Sequence, residues 1–249
     1  LSTHPDPGNR VQKTLDRMAA QPNLPASLKV DRDAFLARTD GLVFGEDPRQ
    51  GYFRQNAFLH PDLRFQFDFP SGWKMQNQAT QVIGVSPQHD ALIVLATAGT
   101  VAPSQALSQF MGQQGIQNDG ASSGAVNGLT AASAAFTAQT DQGTLAGRVA
   151  FVSLDGRTYR LLGYTPSGRI GTYRGAIGTS LGSFRRLTDQ AALAVKPARI
   201  HLVRLSRAMT IAQFNQASPS TIPLAQLALI NGVDTTSTIA VGTLVKRVQ

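Results

Sequence analysis

The chain has 249 residues, 42% of them hydrophobic, with 23 Lys and Arg against 15 Asp and Glu, and no Cys. That length suits one large domain or two smaller ones, at about 100–200 residues each. The missing Cys excludes disulfides, thiolate chemistry and Cys-ligated zinc without fixing the redox compartment, and no run in the sequence approaches the roughly 18 uncharged apolar residues of a membrane span. The net charge of +8 is uneven: residues 191–249 hold six Lys and Arg against one acid. Such a tail favours an anionic partner (cell-wall polymer, lipid surface or nucleic acid) or serves as a solvated basic face.

Leu1-Ser2-Thr3 shows neither an initiator Met nor a charged-then-apolar leader, and reads as the continuation of a longer chain. The turn His4-Pro5-Asp6-Pro7 leads into a helix to Ala20, with Val11, Leu15 and Met18 at i, i+4 and i+7. Two prolines in "QPNLP" end it. The polar, Gly-punctuated stretch that follows predicts an extended connector with short helical or hairpin pieces.

From Leu63 the period becomes two. "RFQFDFPSGW" sets Phe65, Phe67 and Phe69 on one face and Gln66 and Asp68 on the other, the alternation of a half-buried strand. "QVIGVSP" and "ALIVLATA" predict two more strands, and "SQALSQFMGQQG" an amphipathic helix. "GLTAASAAFTA", "TLAGRVAFVSL" and "TYRLLGYTP" predict three further strands, with Asp155-Gly156 as a two-residue hairpin turn. "YRGAIGTSLGSFRRLT" predicts a closing helix and "TDQAALAVKPA" a linker. The remainder predicts a strand (200–205), a short helix (210–215), a helix (224–230), a turn at Asn231-Gly232 and a strand (243–248).

Several chemistries fail on spacing. The four His, at 4, 60, 89 and 201, cannot share one helical turn as a zinc-protease pair must, and the only Glu, Glu46, has no His near it. Gly178-Thr179-Ser180-Leu181-Gly182 spells G-x-S-x-G, but a nucleophile elbow needs a strand-to-helix turn and this motif falls inside a predicted helix. Ser71-Gly72-Trp73-Lys74 spells S-x-x-K without companion motifs. The basic C-terminal region has one aromatic, Phe214, at a core-like position, so no nucleic-acid partner is expected.

Thr3-His4-Pro5 followed by Arg10-Val11 resembles the segment downstream of the active site in bacterial HExxH zinc metalloproteases of the HtpX and BepA (Ste24-endopeptidase-like) type. The resemblance implies that His4 and Arg10 face the zinc cleft of a parent peptidase. The HExxH helix and the third ligand, a Glu, are missing from this sequence, so no catalytic set is complete here. No metal ligand and no cofactor is assigned to this chain, and zinc is expected only in the parent. "GYFRQNAFLHPDLRFQFDFPSGWKMQNQ" looks like the region downstream of the catalytic domain in some secreted members, and the sheet pattern down to "SFRRL" is similar to PsbP-like folds. The last fifty residues resemble a LysM module through Leu227, Ile230, Asn231, Gly232, Gly242 and Val245, with Ala208-Met209 where Gly-Asp is typical. LysM modules bind N-acetylglucosamine glycans such as peptidoglycan; the residues that would touch one are not assigned by sequence.

The expected fold class is therefore α+β: a short N-terminal helical segment with connector (1–59), an antiparallel PsbP-like sheet with flanking helices (60–190), and a small βααβ LysM-like domain (191–249). The expected function is that of the non-catalytic C-terminal part of a secreted or periplasmic zinc metallopeptidase, docking a protein substrate or envelope partner and anchoring to peptidoglycan. The alternative is a stand-alone cell-envelope adaptor.

Overall fold

The structure, a computed structural model, describes residues 7–20 and 31–249. His4 and the "QPNLP" break lie outside the described residues. Helix α1 (Pro7–Ala19) forms where the periodicity predicts it, and its apolar stripe of Val11, Leu15 and Met18 is exposed. A one-and-a-half-turn helix, α2 (Arg32–Ala37), follows inside the predicted connector.

Residues 43–199 form one compact unit. In chain order it runs β1 (Tyr52–Arg54), β2 (Ala57–His60), β3 (Phe65–Asp68), β4 (Lys74–Asn77), β5 (Gln81–Val85), β6 (Leu92–Thr97), α3 (Pro103–Met111), β7 (Ile116–Val126), β8 (Leu129–Thr140), β9 (Gly143–Leu154), β10 (Arg157–Pro166), α4 (Ile170–Leu181), β11 (Arg185–Arg186) and α5 (Gln190–Leu193). Two antiparallel sheets result, of order β4-β5-β6-β10-β9-β8-β7 and β1-β2-β3-β11. Together with the helices they make the unit α+β.

Strand alternation sorts the core into two layers. Val149 and Phe151 of β9 join Ala132, Ala134 and Phe136 of β8 beneath Leu107 and Phe110 of α3. Ala150, Val152 and Leu154 point the other way, toward Phe58, Phe65 and Phe67 of the smaller sheet and Ile177 and Leu181 of α4. Strand β9 is thus apolar on both faces, which is why its sequence reads as an almost unbroken hydrophobic run. Asp155-Gly156 turns β9 into β10 with both φ angles positive, +49° and +75°, the backbone of the favoured two-residue hairpin.

Two predicted elements differ, and one long strand has no predicted counterpart. The stretch "IQNDGASSGAV", which has no strand signal of its own, is the eleven-residue strand β7, recruited by pairing with β8 across an Asn127-Gly128 turn of the same positive-φ kind. The predicted closing helix stops at Leu181: Asn127 Nδ2 donates to the carbonyls of Gly182 and Phe184 at 2.9 Å each, Phe184 is buried between Phe65 and Tyr159, and the next residues pair with β3 as β11. The predicted linker contains α5, whose Ala192 is buried against Leu59 and Leu187, so this stretch is packed.

The second unit comprises the described residues up to Leu42 together with Ile200–Gln249. Its C-terminal part runs β12 (Ile200–Arg204), β13 (Met209–Thr210), α6 (Ile211–Ala217), α7 (Leu224–Asn231), β14 (Thr238–Ile239) and β15 (Leu244–Val248). Strand β12 pairs antiparallel with β15 and β13 with β14, around a core that includes Ile211, Phe214, Leu227 and Val245. Thr210 and Gln213 close a reciprocal capping box on α6, and Gly232 ends α7 in the left-handed conformation at φ +66°. The segment after residue 31 fastens to β12: Asp33 pairs with Arg204 at 2.9 Å, and Asp40 accepts from the Leu202 amide at 3.0 Å.

Candidate functional site

The two hairpin-like loops of the second unit meet through a ladder of four residues. Met209 pairs with Ile239 and Thr210 with Thr238, so the loop after β12 (206–208) runs beside the loop before β14 (234–237). Met209 and Ile239 are buried and pin the ladder to the core, while Ser206, Arg207, Asp234, Thr235, Thr236 and Ser237 are exposed. The surface so built carries four hydroxyl side chains, one guanidinium and one carboxylate: short donors and acceptors of the kind that match a sugar's hydroxyl and acetamido groups. Ala208 lies at negative φ, so its backbone has no need of glycine.

The residues that carry the LysM resemblance hold α7 against β15. Asn231 donates to the carbonyls of Leu227 and Lys246 at 2.9 Å and accepts from the Lys246 amide at 2.7 Å, tying the end of α7 to β15. Lys246 Nζ donates to the Ile230 carbonyl at 2.8 Å. Leu227 and Val245 are core residues. The basic excess of the tail is partly spoken for by these contacts and by the Arg204–Asp33 pair.

The other flagged residues fall elsewhere. Arg10 is exposed on α1. Ser180 is buried within α4 and its Oγ donates to the Asp68 carbonyl, while Ser183 Oγ accepts from the Asp68 amide at 2.8 Å. The G-x-S-x-G spelling is therefore a fastener of α4 onto β3 and not a strand-to-helix elbow. Lys74 is exposed at the start of β4. Among the described residues, no group of three or more His, Asp and Glu is placed to hold a metal ion, and no helix is long and apolar enough to cross a membrane.

A polar knot that the sequence did not suggest holds the β5–β6 turn. Asp90 accepts from Ser86 Oγ at 3.0 Å and from the Tyr173 hydroxyl of α4, Arg169 Nε stands 3.6 Å away, and Thr165 Oγ1 donates to the Asp90 carbonyl at 2.7 Å. The Tyr173 hydrogen bond, reinforced by Ser86 and Arg169, holds the Asp90 carboxyl below its ordinary value. Arg49, Arg186 and Arg54 do the same for Asp47, Asp155 and Asp189. A carboxyl held low in the folded state contributes stability that is present above its unfolded pKa and lost as pH falls through its folded one. The sheet unit's melting midpoint is therefore expected to drop as pH falls below about 4. In Asp90→Asn that drop should be shallower, read by the fluorescence of the single Trp, Trp73, whose ring lies 5.9 Å from that of Tyr173. Identical slopes for the two proteins would refute it.

No family model matches the sequence, and no curated protein does. Among solved structures, the chain is similar to cyanobacterial PsbP (CyanoP) from Synechocystis sp. PCC 6803, at 12% identity and a TM-score of 0.44 over 52% of this chain and 91% of that one. It is similar to LpqN, described as involved in cell envelope biogenesis of Mycobacterium tuberculosis, at 14% identity and 0.39 over 48% and 81%. It is also similar to a protein from Bacteroides thetaiotaomicron VPI-5482, at 17% identity and 0.42 over 66% and 58%. TM-scores below 0.5 establish no family, and the α+β assignment rests on the strands and helices described above.

Proposed function

We propose that the chain is a non-catalytic binding element of the bacterial cell envelope, holding peptidoglycan with its C-terminal unit and docking a protein partner with its sheet unit. The observation that carries this reading is the pair of exposed, hydroxyl-rich loops joined by the β13–β14 ladder, in the unit where Asn231 ties α7 to β15. For the partner, the support is β7. It is an eleven-residue edge strand, exposed along nearly its whole length, with one charge (Asp119) and neither Lys nor Pro to blunt it. An edge of that kind can receive an extended segment as an added strand.

Co-sedimentation of the full chain with purified peptidoglycan tests the anchor. Retention is expected to persist at about 0.5 M salt, where exposed charges are screened, to be competed by N-acetylglucosamine oligomers, and to be lost in Thr236→Glu/Ser237→Glu. Retention that salt abolishes would assign the binding to net charge, and retention that the double variant keeps would place it outside these loops; either result defeats the reading.

A narrower version makes the chain the downstream part of an HtpX/BepA-type zinc metallopeptidase whose zinc is held by its own upstream HExxH segment. One observation favours it: Val11, Leu15 and Met18 of α1, beside Arg10, remain 61%, 53% and 54% exposed, an apolar stripe that a catalytic domain would cover. Peptide mapping of the protein from its native host would show HExxH-containing peptides contiguous with Leu1. Their absence from a complete map removes the peptidase and leaves the adaptor.

A further inference from the structure

Strands β4, β5, β6 and β10 form one half of the seven-stranded sheet, at the end opposite β7. Their inner face carries Gly84 and Gly163, where the Phe69 ring and Ile177 of α4 press close to the backbone. On a solvated outer face, antiparallel strands ordinarily set polar residues. Here the outer residues are apolar. Ile83 pairs with Val94 and Val94 with Leu162, while Val85 pairs with Leu92 and Leu92 with Tyr164. Val94, in the middle, is buried and the other five are half-buried. Helix α3 lies on this side but packs on β7, β8 and β9. Ile83, Val85 and Leu92 join none of the hydrophobic cores. Strands β5 and β6 are thus apolar on both faces, and the outer one is left partly wet.

Two features narrow what would cover it. The first is size. The six side chains make a strip about 10 Å across the strands and 7 Å along them, a small fraction of the roughly 800 Å² per partner of a stable protein interface. The second is charge. Two charges flank the strip and both are basic: Arg160 in the next row, opposite Ala96, and Lys74 at the other end, opposite Val85. Arg160 is half-buried, and its guanidinium forms no ion pair with a described acid. Its Nε is sealed from solvent without a partner, a condition shared among the described residues only by Arg247 of the other unit. A half-buried cation without a counter-charge is costly, and the sealed stem keeps this one from swinging out to water. Its counter-charge is to be expected from a ligand. A membrane surface calls for a cluster of about 4–8 basic residues, and a second copy, itself at net +8, would set like charges together.

We propose that this face binds a single-chain alkyl carboxylate, with the carboxylate at the Nη groups of Arg160 and the chain running diagonally over Val94 toward Val85. The site lies apart from the loops proposed to hold peptidoglycan and from the β7 edge, and stands whether or not either binds its partner.

Titration of the full chain with laurate and with dodecyltrimethylammonium, a cation of equal chain length, tests it by NMR or calorimetry below the micelle concentrations. Laurate is expected to bind at about 0.1–1 mM, weaker than an acyl chain in a bilayer because one side of it stays wet. The cation is expected to bind at least about tenfold more weakly. Arg160→Met should weaken laurate about tenfold, the loss of a charged hydrogen bond. Arg157→Met, which removes the same charge from the exposed end of β10, should leave it unchanged. Ile83→Glu is expected to abolish binding, its melting midpoint near the parent's showing that it is folded. Ile83→Thr, expected to weaken laurate about threefold, supplies the same reading should Ile83→Glu fail to fold. No laurate binding at about 5 mM, equal affinity for the cation, or undiminished binding by Arg160→Met would each overturn the proposal. So would a dimer that Ile83→Glu splits into monomers, or retention on phosphatidylglycerol vesicles that Ile83→Glu loses, since these would give the face to a second copy or to a membrane.

Discussion

Gly147→Ala is expected to destabilise the sheet unit by about 3–5 kcal/mol. Gly147 sits within β9, flanked by β8 and β10, opposite Phe136 and Tyr164. A Cβ at this position would overlap the carbonyl oxygen of Gly163 and stand 2.9 Å from Tyr164 Cβ and 3.0 Å from Phe136 Cε1. The Phe136 ring can rotate away. The Gly163 carbonyl cannot, because it belongs to β10, whose other face is occupied by Ile177 of α4 at the very position where Gly163 makes room for it. Relief requires β9 and β10 to separate, which costs ladder hydrogen bonds and the packing of two cores together. Urea unfolding read by Trp73 measures this unit alone, since the other unit has no Trp. A loss smaller than about 1 kcal/mol would contradict the close approach of the two strands.

Phe67→Ala is the second large effect, at about 3–5 kcal/mol in the same measurement. Phe67 is fully buried in β3 and packs edge-on against Phe69 at 4.9 Å, inside the layer shared by both sheets and α4. Truncation removes the transfer free energy of the ring and leaves a cavity bounded by ladder backbone, which has little freedom to collapse. Phe67→Leu should retain more than half of the loss-free stability, because it refills most of that volume. If the alanine and leucine variants lost equally little, the core between the sheets would be looser than its burial implies.

Both predictions concern contacts between elements far apart in the chain, and this is where sequence reasoning ran out. Strands β3, β5, β6, β8, β9 and β10 were legible because alternation, or a continuous apolar run, records burial on one face or two. Asp155-Gly156 was legible because few residue pairs accept positive φ twice in succession. In the C-terminal residues, β12, α6, α7 and β15 were legible from apolar spacing and from Asn231-Gly232, whereas the two-residue strands β13 and β14 are too short to leave a pattern. Strand β7 was not: "IQNDGASSGAV" has no apolar alternation because the strand lies at an edge with its side chains in solvent, and only pairing with β8 makes it a strand. The residues around Phe184 were read as helix because their composition permits it; the pocket between Phe65 and Tyr159, together with Asn127, decided otherwise.

The candidate sites divide in the same way. The sequence by itself determined where the C-terminal unit could turn, since Gly232 and Gly242 advertise their backbone roles locally. It also excluded a helical zinc pair, by the spacing of four His. Only the tertiary structure decided that loops 206–208 and 234–237 run side by side, that Ser180 fastens a helix, and that Phe58, Phe65, Leu95 and Tyr159 share one core. Local sequence records the conformation each residue prefers and whether its face is wet or dry. Which faces meet is set by the packing of whole sheets, and a hydroxyl such as that of Ser180, turned onto the Asp68 carbonyl of a distant strand, leaves no mark on the residues beside it.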